Sequence, residues 1–181
     1  AYEKYREALE VQLRIGDFFL CASERQRDYW LGMLSAVGRI NPHTYAQDPT
    51  FEKLIAVVPF GLPREKPRHL QPVLRGVHPC IAPDDKVLLW GGGVWDWLDA
   101  PTLVRAMPLI LAQRDDVKVF FMGIRRPNAS AAQTSAVDDL VALSQELGLY
   151  DRFVFFNDWV TYEARQNYLL EADVGISLHL N

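Results

Sequence analysis

The chain is expected to fold as α/β, in Rossmann-like layers of parallel strands with helices on both faces. Three observations predict this. Short apolar runs rich in Val, Phe and Ile recur at Phe18 to Ala22, Leu54 to Phe60, Val87 to Trp90, Val117 to Met122, Phe153 to Phe156 and Val174 to Leu180. Most are too short for helices and suit buried strands. Segments of helical period separate most of them, and that alternation marks a parallel sheet covered on both sides.

Taken in order, the first run is followed by Ser23 and Gln26, spaced as a capping box. Tyr29, Trp30, Met33, Leu34 and Val37 then form one apolar stripe that Gly38 ends. Between Gly61 and Asp85 stand Pro63, Pro67, Pro72, Pro79 and Pro83, enough to stiffen an extended connection and prevent regular structure. The expected division is therefore residues 1–60 as the end of one domain, 61–85 as a Pro-rich linker and 86–181 as the front part of a second. In that part Asp99 is placed to cap a helix with Pro101 in its first turn, and Leu103, Met107, Ile110 and Leu111 share a face. Leu140, Leu143 and Leu147 repeat the pattern before Gly148, and Thr161 is placed to cap the helix carrying Tyr168, Leu169 and Ala172. Glu163, Glu171 and Asp173 are expected on its solvated face.

Composition narrows the function. The 181 residues are 49% hydrophobic, with 19 basic against 23 acidic side chains for a net charge of −4. That balance lacks the basic excess on which sequence-independent phosphate binding depends, so nucleic acid is not an expected partner. The longest uncharged apolar runs, such as Val87 to Trp95, fall short of the ~20 residues a membrane span needs. Ala1 to Glu10 is charged and has no secretory apolar region, so a cytoplasmic location is expected, with peripheral membrane association left open. Cys21 and Cys80 show neither a CxxC nor zinc-ligand spacing and read as buried thiols, and no metal site is expected. The GxSxG, HExxH and EF-hand patterns are absent, and His43, His69, His78 and His179 are scattered.

Three loops carry the candidate chemistry. Gly91, Gly92 and Gly93 follow a buried strand and precede a helix, which permits close approach of a ligand to the backbone. The dinucleotide fingerprint GxGxxG fails because Asp96 stands at its third glycine, and no P-loop follows. Trp95 and Trp97 beside the glycines suit a sugar or base platform, or simple packing. Arg125 and Arg126, at the next strand's carboxyl end, suit bidentate contact with phosphate or an ordinary solvated turn. The loop containing Trp159 and Val160 is placed to read a base edge with its backbone, or to be a plain capped turn. His179, at a strand's carboxyl end, is a weaker candidate.

In that order, the segments resemble the nucleotide-sugar glycosyltransferases of the group 1 family, whose GT-B fold faces two Rossmann-like domains. Gly16 to Ser23 resembles the last strand and helix start of the acceptor domain. Val57, Val58, Pro59, Phe60 and Gly61 are similar to its I-x-V-I-P-N-G segment, with Phe60 in place of Asn. Val87 to Gly93 and Val117 to Gly123 resemble the first two strands of the donor domain. Phe153 to Asn157, followed by Tyr168 to Val174, is similar to the run V-x-F-x-G … L-Y-x-x-A-D-V.

The resemblance covers nearly the whole chain from residue 16. It implies metal-independent, retaining transfer of a sugar from a nucleoside diphosphate sugar to a carbohydrate or lipid-linked acceptor, with no separate cofactor. The donor site would comprise Gly91, Gly92, Gly93, Trp95, Asp96, Arg125, Arg126, Trp159 and Val160. Where many members carry an Arg and a Lys after the glycine loop, this chain has Gly93 and Leu98, so Arg125 and Arg126 are expected to supply the positive charge. The family's E-x7-E pair follows the strand that Val174 to Leu180 resembles. The chain is thus expected to be a truncated stretch of a longer enzyme, inactive alone and with no catalytic residue of its own. The alternatives are a non-catalytic nucleotide- or ligand-binding α/β module and an enzyme of the nucleotide-sugar epimerase type.

Overall fold

The computed structural model describes residues 2–125 and 135–180. They form two compact units, Ala1–Arg64 and Glu65–Asn181.

The first unit comprises α1 (Tyr2–Ile15), β1 (Phe19–Cys21), α2 (Glu24–Ala36), α3 (Pro42–Gln47) and β2 (Ile55–Val57). β1 and β2 pair in parallel, with Phe19 opposite Ile55. Leu13, Cys21, Leu34, Leu54 and Ile55 make its core. Ser23 caps α2 as its spacing predicts, accepting from the Gln26 N–H at 3.3 Å, while the Gln26 side chain accepts from Ala22 N at 2.9 Å. Gly38 follows α2 at φ +78°, a left-handed conformation that favours glycine. Expectations change in this unit: the run Leu54 to Phe60 is a strand only over Ile55–Val57, with Val58 and Phe60 exposed. Tyr29 leaves the apolar stripe and is 61% exposed, its ring standing edge-on to Trp30. A short helix, α3, carries a capping box between Asn41 and Thr44 that hydrophobic period did not signal, because six residues hold too little of a repeat.

The second unit comprises β3 (Lys86–Trp90), α4 (Ala100–Leu111), β4 (Val117–Phe121), α5 (Ser135–Glu146), β5 (Val154–Phe156), α6 (Arg165–Glu171) and β6 (Val174–Ile176). Its four strands are all parallel, in the order β5-β4-β3-β6. The expected α/β class with parallel sheets is thus observed. All five residues of β4 are buried. Val117, Val119 and Phe121 point into the layer shared with α4 and α5, and Phe120 points into the opposite layer with Leu89, Phe155 and Tyr168 of α6. Burial on both faces explains why these strands read as continuous apolar runs rather than as alternation.

Asp99 caps α4 through the Thr102 N–H at 3.2 Å, as predicted. α6 departs from expectation. It begins at Arg165 without a side-chain cap, and Thr161 instead accepts from Ala164 N in the preceding turn at 3.3 Å. β6 stops at Ile176, although the apolar run continues to Leu180, because the chain then crosses to pair antiparallel with the loop at Leu98. Cys80 is exposed whereas Cys21 is buried, so only one of the two thiols is a core residue.

The Pro-rich stretch is more than a spacer. From Glu65 onward it belongs to the second unit, and Leu74 and Ile81 are buried beside Val87, Leu89, Phe120 and Phe155. Having no ladder in which to pair its N–H groups, the segment 68–75 is strapped down by side-chain acceptors. Gln166 accepts from Arg68 N at 2.9 Å and Asn167 from Leu70 N at 2.8 Å. Glu171 accepts from Val73 N and Leu74 N at 2.8 Å and from Arg75 N at 3.0 Å, and meets His69 Nε2 at 2.7 Å. Asp173 pairs with the Arg75 guanidinium and accepts from Val87 N at 2.8 Å. Glu171 is therefore a structural acceptor and not a member of a solvated face, while Asp173, exposed as expected, is an acceptor as well.

His78, at the end of this strap, lies 4.5 Å from the Phe155 ring and edge-on to Phe120. Burial against these rings pushes its pKa below the ordinary 6.5, against a smaller pull upward from Asp151. The unfolded chain then binds more protons than the folded one below pH 6.5, so His78 is expected to cost stability as the pH falls through that value. Thermal unfolding of the chain and of His78→Phe between pH 7.5 and 5.5 checks this, the variant showing the shallower pH dependence.

Candidate functional site

Because β3, β4, β5 and β6 run parallel, their carboxyl ends share one edge of the sheet, and all the loops singled out in the second unit emerge there. Numbered within the unit, the strand order is 3-2-1-4. The direction in which successive strands are added reverses beside the first strand, β3, whose neighbours are β4 on one side and β6 on the other. In open α/β sheets ligands bind in the crevice outside such a switch point. A cleft of about 350 Å³ lies there, lined by Leu89–Gly92 at the end of β3, Gly175–Ser177 at the end of β6, Leu98 and Leu169.

The glycines differ in what they permit. None of the three has the positive φ that would itself require glycine. A Cβ on Gly93 would stand 2.9 Å from Trp95 Nε1, so this residue is small because the indole packs on it. A Cβ on Gly91 would only touch Leu169, at 4.0 Å, and one on Gly92 would meet nothing within 4 Å. Neither conformation nor packing of the described residues demands glycine at 92, and the missing side chain leaves the cleft open at that point. Trp90 Nε1 fixes the loop by donating to the Gly93 carbonyl at 3.1 Å. Trp95 and Trp97 stack with ring centroids 5.3 Å apart and planes within 1°, and Trp97 is 61% exposed. Asp96, in the same loop, is exposed.

The opposite wall is tied to this loop. Leu98 faces His179 across an antiparallel bridge, Asp99 N donates to the Leu178 carbonyl at 2.9 Å, and Leu180 N donates to the Trp97 carbonyl at 3.3 Å. His179 Nε2 stands 3.4 Å from Ser177 Oγ. His179 therefore belongs to the segment that borders the cleft, although its ring is not among the lining groups.

Arg125, Trp159 and Val160 form a separate group at the ends of β4 and β5. There Ile124 N donates to the Asn157 carbonyl and Arg125 N to the Asp158 carbonyl, both at 3.0 Å, and Asn157 Nδ2 donates to the Met122 carbonyl at 3.0 Å. These bonds prolong the β4–β5 pairing into the loops. The Arg125 guanidinium faces the Asp158 carboxylate at 3.7 Å, both side chains more than half exposed, a pair worth under about 1 kcal/mol. Trp159 is half exposed beside Gly123, and Val160 packs on the layer of Phe155. Arg126 lies outside the described residues. The structure thus gathers Gly91 and Gly92 at the cleft, carries Gly93, Trp95 and Asp96 in the same loop, and sets Arg125 and Trp159 apart from it.

No protein-family model matches the chain, and neither a curated protein nor a solved structure does. Its own geometry carries the functional reading. Among the described residues no group of three or more His, Cys, Asp or Glu is placed to hold a metal, and no helix is long and apolar enough to cross a membrane.

Among the lining residues that sequence reasoning missed are Leu98, Leu169, Ile176 and Ser177. Three are aliphatic and indistinguishable from core in a helical or strand pattern. Ser177 did carry a signal, as a small polar residue closing an apolar run at a strand's carboxyl end.

Proposed function

We propose that the second unit is the donor-binding part of a nucleotide-sugar-dependent glycosyltransferase, which moves a sugar from a nucleoside diphosphate sugar to a carbohydrate or lipid-linked acceptor. The observation that carries this reading is the cleft at the switch point of the 3-2-1-4 parallel sheet, opened by Gly91 and Gly92. The order of the segments from residue 16, which resembles that of the group 1 transferases, supports it. In such a reaction the leaving diphosphate needs positive charge or N–H groups aimed at it. Of the two arginines expected to provide charge, Arg125 stands at a strand end on the sheet edge that carries the cleft, two strands from β6. No described residue is assigned as the acid, base or nucleophile.

A second reading, a ligand-binding α/β module without catalysis, is favoured by the acidic residues Asp96 and Asp99 in the glycine loop, which oppose a phosphate there.

Calorimetry of the chain against UDP, GDP and ADP, with hydrolysis of the corresponding donors followed in parallel, tests the first reading. One nucleotide is expected to bind, and Gly92→Phe to weaken it at least tenfold with little change in melting temperature, since Gly92 is exposed and a Cβ there meets no protein atom within 4 Å. Binding without turnover in the full-length protein supports the second reading. No binding by any of the three nucleotides overturns the transferase.

A further inference from the structure

We infer that the switch-point cleft receives the uncharged ring of its ligand, a nucleoside or a pyranose, and not the phosphates that glycine loops in such sheets ordinarily hold. The inference deepens the donor-binding reading and rests on its placement of the ligand between β3 and β6.

The start of α4 is already occupied by the protein's own anion. The first N–H groups of a helix attract phosphate because they are unpaired and lie at the positive end of the dipole. Here Asp99 supplies a carboxylate to that end, accepting from Thr102 N, and Pro101 contributes no N–H at all. An incoming phosphate would meet this carboxylate and a second negative charge from Asp96 in the same loop. The walls give it no compensation. Leu98, Leu169 and Ile176 are its accessible apolar side chains, Leu89 and Trp90 are almost fully buried behind them, and the one polar side chain of the lining is Ser177, beside the exposed backbone of Gly91 and Gly92. An anion held there without a counter-charge would lose hydration it does not recover.

A neutral ring meets the opposite conditions. A nucleobase or a pyranose has an apolar face and a rim of donors and acceptors, and ligand cavities begin at roughly 300 Å³. The cleft, at about 350 Å³, presents apolar side chains to the face and the Ser177 hydroxyl and glycine backbone to the rim.

The test is a backbone-amide NMR titration of the full chain with uridine, adenosine and guanosine, with methyl pyranosides, and with inorganic pyrophosphate. The amides of Gly91, Gly92 and Ser177 are expected to shift with a nucleoside or a pyranoside and to stay fixed with pyrophosphate. The Gly92→Phe variant is expected to abolish the shift. A nucleoside response supports both this inference and the donor reading. A response to pyranosides alone keeps the inference and removes the nucleotide from the donor reading. Movement of these amides by pyrophosphate overturns the inference, and so does the absence of movement with every neutral ring. Nucleotide binding seen by calorimetry would in those two cases still uphold the donor reading.

Discussion

Replacing Glu171 with alanine is expected to lower the stability of the second unit by about 1–3 kcal/mol, because that is the cost of a buried donor left without an acceptor and, of the three consecutive N–H groups that depend on this carboxylate, Leu74 belongs to a buried residue and Val73 and Arg75 to half-buried ones. Its pH dependence follows from the same bonds. Burial alone would raise the Glu171 pKa, but His69 and the N–H groups of Arg75, Leu74 and Val73 outweigh it and hold the carboxyl below the ordinary 4.5. The folded state therefore binds fewer protons than the unfolded one around that value. The stabilisation is complete above pH 4.5 and is lost as the pH falls through the lower folded value. Urea unfolding of wild type and Glu171→Ala at pH 7 and in the acid range checks both parts. The difference between the two proteins should shrink on acidification, and a variant as stable as wild type at pH 7 would remove the strap's importance.

Phe121→Ala is the second large effect. The ring is fully buried, stacks on Phe156 at 4.9 Å and lies 5.7 Å from Trp90, so its removal leaves a cavity in the layer under α4 and α5. Truncation of a core Phe costs about 3–5 kcal/mol. Because Trp90 lines the cleft and Phe121 supports it, ligand affinity should fall along with stability. Phe121→Leu, which refills most of the volume, is expected to recover the larger share of both, as measured by denaturant midpoint and by titration of whichever nucleotide binds.

Much of the second unit was legible in its sequence. A strand buried on both faces needs apolar residues in succession, so Val117 to Met122 and Val87 to Trp90 declared themselves. Helix starts were legible where the cap is a side chain one turn ahead, as at Ser23 and Asp99. They were misread where the chain inserts a turn, as between Thr161 and Arg165. The strap was illegible for a different reason. Glu171, Asn167 and Gln166 bond to groups about a hundred positions away, and polar residues on a short helix look alike whether they face water or a backbone. At the site, the glycine loop announced itself by composition. Its partner wall did not, because Leu169 and Ile176 serve a cleft with the same side chains that would serve a core. Arg125 shows the limit of reading charge from sequence, since Asp158 on the neighbouring strand end accounts for its partner.

α6 has one further consequence for the cleft. A helix of seven residues does not hold itself together in water, and this one gains its order from outside: Tyr168 and Ala172 against the sheet, and Gln166, Asn167 and Glu171 gripping the strap. Leu169, on the same two turns, forms part of the cleft wall. The Pro-rich stretch therefore acts as a distant splint for the binding surface. Whatever frees residues 68–75 also frees Leu169, and by linkage a ligand that presses on Leu169 protects the amides of Val73, Leu74 and Arg75 from hydrogen exchange.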